Sequence, residues 1–99
     1  MNILITAANS AEAHKLKNQL KADHIILGDY QELPAFMLKS ANMIKLPNPS
    51  SPSYTHEMLT LSLDKEVNTI YALRDEERKL LEESKQLFNE YGIVLADGR

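Results

Sequence analysis

Ninety-nine residues suffice for one domain around one core and leave little room for a second. A hydrophobic fraction of 43% and a charged fraction of 25% fit an ordinary globular domain, and a net charge of −3 with pI near 5.5 goes against nucleic acid as a partner. With no cysteine, disulfides, thiolate nucleophiles and cysteine-type zinc sites are excluded; with no apolar stretch near the ~20 residues of a membrane span and no leader-like opening, a cytoplasmic protein without a membrane partner is expected.

The chain opens on Ile3-Leu4-Ile5, a continuous apolar run of strand length. Such runs mark strands buried on both faces, the habit of parallel sheets. Ser10 then caps a helix running to about Ala22, with Ala13, Leu16 and Leu20 on one face. Lys15, Lys17 and Lys21 share that helix, but Glu12 and Asp23 bracket them, so they read as a solvated face. Ile25-Ile26-Leu27 is the second strand. Pro34 opens a short helix carrying Phe36, Met37 and Leu38, and Met43–Leu46 is an edge strand ending at Pro47.

Pro47, Pro49 and Pro52 with Ser50 and Ser51 form a loop. Ser53 caps the next helix, with Tyr54, Met58 and Leu61 at i, i+4, i+7. Ile70–Leu73 is the fourth strand and Ile93–Leu95 the fifth. Between them one helix carries Leu80, Leu81, Ser84, Leu87, Phe88 and Tyr91 on a stripe. Asp75, Glu76 and Glu77 occupy its first turn, where the helix dipole favours negative charge, with Asp75 as its cap; Gly92 stops it. Met37, Met43 and Met58 read as core filler.

Strands alternating with helices predict a single α/β domain over residues 1–99. It is a three-layer, Rossmann-like open parallel sheet of four to five strands, in the order 3-2-1-4-5. Ligands of such sheets bind beyond the carboxyl ends of the strands, at the switch point between strands 1 and 4. The first strand delivers Ala7, Ala8, Asn9 and Ser10 there, the second Asp29, the fourth Arg74, Asp75 and Glu76, and the fifth Asp97 and Gly98.

Asn9, Ser10, Asp29, Arg74, Asp75 and Glu76 are therefore the candidate substrate contacts. Each has a plainer reading beside it. The first loop has none of the glycines of a dinucleotide fingerprint, and Glu12 would repel a phosphate; Ser10 as a simple cap accounts for it. Asp29 stands where a dinucleotide fold places its ribose acid, or belongs to a turn. Arg74 could clamp a carboxylate or phosphate, or pair with Asp75 or Asp29. His14, His24 and His56 are scattered over separate elements, so no metal site is expected, and no base stands near a nucleophile, so no catalytic residue is assigned.

The ordered pattern resembles the pre-ATP-grasp domain that opens ATP-grasp carboxylate–amine ligases, in particular proteins like the carbamoyl-phosphate synthase large subunit. Three segments carry the resemblance: Asn2–Ala8 leading into a helix; Pro52-Ser53-Tyr54 leading into Met58-Leu59; and Ile70–Glu77 with Leu80-Leu81 and Tyr91–Leu95. It implies a domain that lines part of an acceptor-substrate pocket and packs on a catalytic module in cis or trans. That module would hold the ATP and magnesium and begin just after Leu95; this chain would hold no cofactor. Asp29, Arg74, Asp75 and Glu76 carry over as substrate-edge positions. The family's first loop often contains glycine, where this chain has Asn9 and Ser10. Two other expectations stand beside it: a free-standing binding module for a small metabolite or nucleotide, and a homodimer formed through a sheet edge or bare apolar face.

Overall fold

The computed structural model describes residues 2–8, 10–20, 24–30 and 43–96. Five parallel strands form one sheet: β1 (Asn2–Ile5), β2 (His24–Asp29), β3 (Met43–Lys45), β4 (Thr69–Tyr71) and β5 (Val94–Ala96). Their order across the sheet is β3-β2-β1-β4-β5, as the alternation of strands and helices predicts. The register is continuous: Ile3 pairs Ile25 on one side and Thr69 on the other, and Ile70 pairs Leu95. Four helices are described: α1 (Ala11–Gln19), α2 (Tyr54–Asp64), α3 (Asp75–Glu82) and α4 (Lys85–Glu90). The proposed short helix opening at Pro34 lies outside the described residues. Among those residues, no helix is long and apolar enough to cross a membrane.

Alternation along β1 divides the core between the two faces of the sheet. Ile3 and Ile5 point to the α1 side, where they meet Ala13, Leu27 and Met43. Leu4 points the other way, into a cluster with Tyr54, Met58, Ile70, Leu81 and Phe88 from α2, β4, α3 and α4. Gly28 serves a close approach here. A Cβ on it would come within 2.7 Å of Leu46 Cγ, and Leu46 is itself buried.

Five local expectations are corrected. Helix α1 ends at Gln19, and Leu20 closes it with an N–H to the Leu16 carbonyl while its own backbone is already extended. The single last helix is two. At Ser84 the backbone N–H turns to the Leu81 carbonyl, three residues back, and α4 starts anew with Phe88 N–H on Ser84 O; serine in a helix interior competes for backbone hydrogen bonds and lets the turn tighten there. Ser53 occupies the cap of α2 but makes no side-chain cap bond. The cap of α3 is Arg74, and Asp75 is its first helical residue. The apolar run at 93–95 is also less enclosed than its composition suggests, because Val94 is 54% exposed.

Candidate functional site

Two strand-to-helix connections meet at the carboxyl end of the central strands. The first follows β1. Thr6 is buried, and its Oγ1 accepts the Leu73 N–H at 2.8 Å, tying the ends of β1 and β4 together. Ala7 takes a left-handed conformation, φ 55°, which turns the chain into α1 without a glycine. Ala8 N–H bonds the Gly28 carbonyl at 3.0 Å. Ser10 donates its hydroxyl to the Ala7 carbonyl at 2.7 Å and accepts the Ala13 N–H at 3.2 Å, and His14 Nε2 donates to the Ala8 carbonyl at 3.0 Å. The polar groups of this loop thus serve its own closure, with Ser10 as a cap; Asn9 lies outside the described residues.

The second connection follows β4 and is charged. Asp29 ends β2 inside the strand rather than in a turn, and it is fully buried. Arg74 Nη2 reaches both of its carboxylate oxygens, at 3.0 and 3.2 Å. The guanidinium is 25% exposed and lies 5.1 Å from the centre of the Tyr30 ring, a cation–π distance. Tyr30 in turn donates its hydroxyl to Glu76 at 2.8 Å. Burial works against the arginine's charge, but the hydrogen bond and charge of Asp29 outweigh it and hold Arg74 above its ordinary range.

Behind this pair lies Glu77, a residue that the acidic run 75–77 concealed. It is fully buried and accepts the Tyr54 hydroxyl on Oε2 at 2.8 Å. Its Oε1 stands 3.8 Å from Arg74 Nε, and neither atom has a hydrogen-bond partner. Burial pushes the Glu77 carboxyl up to about 7, although the Tyr54 hydrogen bond and the Arg74 charge pull it back. Tyr54 is pushed upward as well, by burial first and then by the adjoining Glu77 carboxylate. A sequence signal did exist: Glu77 lies one helical turn before Leu81, on the stripe that enters the core.

Of the candidate contacts, Asp29, Arg74 and Glu76 are brought together, with Tyr30 bridging them. Ser10 is drawn into its own loop, and Asp75 faces outward to Arg78, its Oδ1 2.6 Å from Nη2. The fold and this edge define an all-parallel open α/β domain of Rossmann-like order whose switch-point arginine is paired with a buried aspartate of the neighbouring strand. No protein-family model matches the sequence, and no curated protein is significantly similar to it.

Proposed function

We propose that the chain is a non-catalytic docking and substrate-edge domain of an ATP-grasp ligase, of the kind resembling the carbamoyl-phosphate synthase large subunit, working in the cytoplasm beside a catalytic module in cis or trans. The observation that carries this reading is the β5 edge. Sheet edges are usually blunted by charge or proline. The β3 edge is: Lys45 ends it and Pro47 follows. The β5 strand itself, Val94-Leu95-Ala96, carries neither, and its one flanking charge in sequence is Asp97 after its end. Among the described residues, three of the four exposed large apolar side chains belong to β5 or to the helix that leads into it. Leu87 and Tyr91, 39% and 55% exposed, lie on α4 and at its C-terminal cap, and Val94 stands in register with Thr69 and Ile3, on the α1 side of the sheet. An uncharged edge strand with an exposed valine, led into by a helix with exposed apolar side chains, suits a protein surface packed against it.

The resemblance puts the catalytic module just after Leu95, in the strand that carries this surface. Arg74, Glu76 and Tyr30 would then form the polar wall of an acceptor pocket, with Asp29 beneath Arg74 fixing its position. The self-closed first loop goes against a free-standing nucleotide binder, since that site needs backbone donors turned toward a phosphate.

The test begins with gene context. A lysine-bearing, glycine-rich ATP-grasp module is expected in the same reading frame or a neighbouring gene. Mixed with this chain, it elutes as one complex in size-exclusion chromatography, and Val94→Asp releases it while the melting temperature stays within a few degrees. Absence of any such module, or a complex indifferent to Val94→Asp, overturns the reading. A self-associated species that Val94→Asp dissociates would assign the surface to a second copy instead.

A further inference from the structure

Among the described residues, two fully buried carboxyl groups, Asp29 and Glu77, stand beside one guanidinium, Arg74. With Glu77 protonated, Arg74 serves Asp29 alone. With Glu77 ionised, a second buried carboxylate competes for the same cation, and buried charges persist only when paired and hydrogen-bonded. The geometry already contains the means of pairing it. Arg74 Nε and Glu77 Oε1 are both buried, both without a hydrogen-bond partner, and 3.8 Å apart. A charge-assisted N–H···O bond is about 2.8 Å long, so a shift of roughly 1 Å closes it.

We infer that Glu77 is a proton-controlled switch: its protonated carboxyl leaves Arg74 to Asp29, and its ionised carboxylate draws Arg74 Nε into a shared bond, moving the guanidinium at the sheet's carboxyl edge. The groups that act on Glu77 among the described residues are Arg74 and Glu76 from its own helix start, Asp29 from the end of β2, and Tyr54 from the start of α2; Tyr30 touches Arg74 and Glu76 in turn. Of these, Arg74 is the cation. Asp29 and Glu76 oppose a second negative charge, and Tyr54 donates to it. A carboxyl pushed up to about 7 puts the transition in the neutral range. The movement reaches the surface through Tyr30, whose ring lies over the guanidinium and whose hydroxyl holds Glu76. The switch belongs to the folded chain itself and stands whether or not the docking reading holds.

The test is an NMR titration of the full chain from pH 4.5 to 9. It follows the Glu77 side-chain carboxyl carbon and the Arg74 Nε–H. The expected result is one shared midpoint near neutrality, with the Arg74 signal flat in Glu77→Gln. A Glu77 midpoint in the ordinary carboxylate range, or an Arg74 signal that does not follow it, overturns the switch. Tyr54→Phe supplies a second arm that spares the carboxyl. Loss of the hydroxyl donor to the ionised form moves the midpoint upward; an unchanged or lowered midpoint overturns the proposed arrangement.

Discussion

The loops after β1 and β4 leave the same end of the sheet, each turns at once into a helix, and Thr6 Oγ1 bonds one to the other. They are closed by opposite means. The β1 loop uses small side chains, a left-handed alanine and a serine cap that bonds the backbone on both sides. The β4 loop is capped by Arg74, which makes no cap bond and instead spends its guanidinium on Asp29, 45 residues away. A loop closed by local hydrogen bonds can be altered at modest cost, because water replaces much of what is lost. A loop closed by a buried ion pair fails harder, because removing one partner strands the other's charge.

The largest effect should therefore come from the β4 loop. Arg74→Ala takes from the buried Asp29 carboxylate the guanidinium that binds both of its oxygens; since the arginine is partly exposed, about 2–4 kcal/mol of stability is expected to be lost, read by urea unfolding. A loss below ~1 kcal/mol would erase the contrast between the loops. Next is the pH dependence of Glu77. Its folded-state value, about 7, stands above the unfolded 4.5, so the folded state holds its proton more tightly. That stabilisation is fully present below pH 4.5 and is lost as pH rises through 7. Thermal melts should show wild type losing ~2–3 kcal/mol relative to Glu77→Gln between pH 4.5 and 8. A difference that is constant with pH would place the Glu77 charge outside the network.

Gly28 on β2 meets the β1 loop and the chain just after β3, since its carbonyl takes the Ala8 N–H while its missing Cβ makes room for Leu46. Gly28→Ala should cost about 1–3 kcal/mol, and pairing it with Leu46→Ala should cost less than the two added together, because the clash is then gone. In the β1 loop itself, Ser10→Ala should cost about 1 kcal/mol, the usual worth of a serine cap. The smallest effect belongs to Ala7→Gly. Relief of the left-handed conformation, about 1 kcal/mol, is offset by loss of a buried methyl worth roughly 0.8 kcal/mol. A change beyond ~0.5 kcal/mol in chemical denaturation would show that one of these two terms dominates.

The strands were legible because their apolar runs are continuous; in β1 continuity follows from burial on both faces, while β5 keeps its apolar run with Val94 exposed. Ser10 was legible as a cap because a cap is a bond across three residues. The break at Ser84 was hidden, because the apolar stripe passes through it without a change of period. Glu77 was hidden for a different reason. Three acids in a first helical turn look alike in sequence; here Asp75 meets Arg78, Glu76 meets Tyr30, and Glu77 enters the core against Tyr54.

The sequence by itself determined the open parallel sheet and its strand order, since hydrophobic period, crossover length and handedness act locally and constrain topology strongly. Only the tertiary structure decided which charges meet. Asp29, Tyr54 and Arg74 lie far apart along the chain and come together because β2, β1 and β4 are neighbours and α2 and α3 cover one face of that sheet. Charge pairing depends on distance in space and on exclusion of water, and a linear pattern encodes neither until the layers are packed.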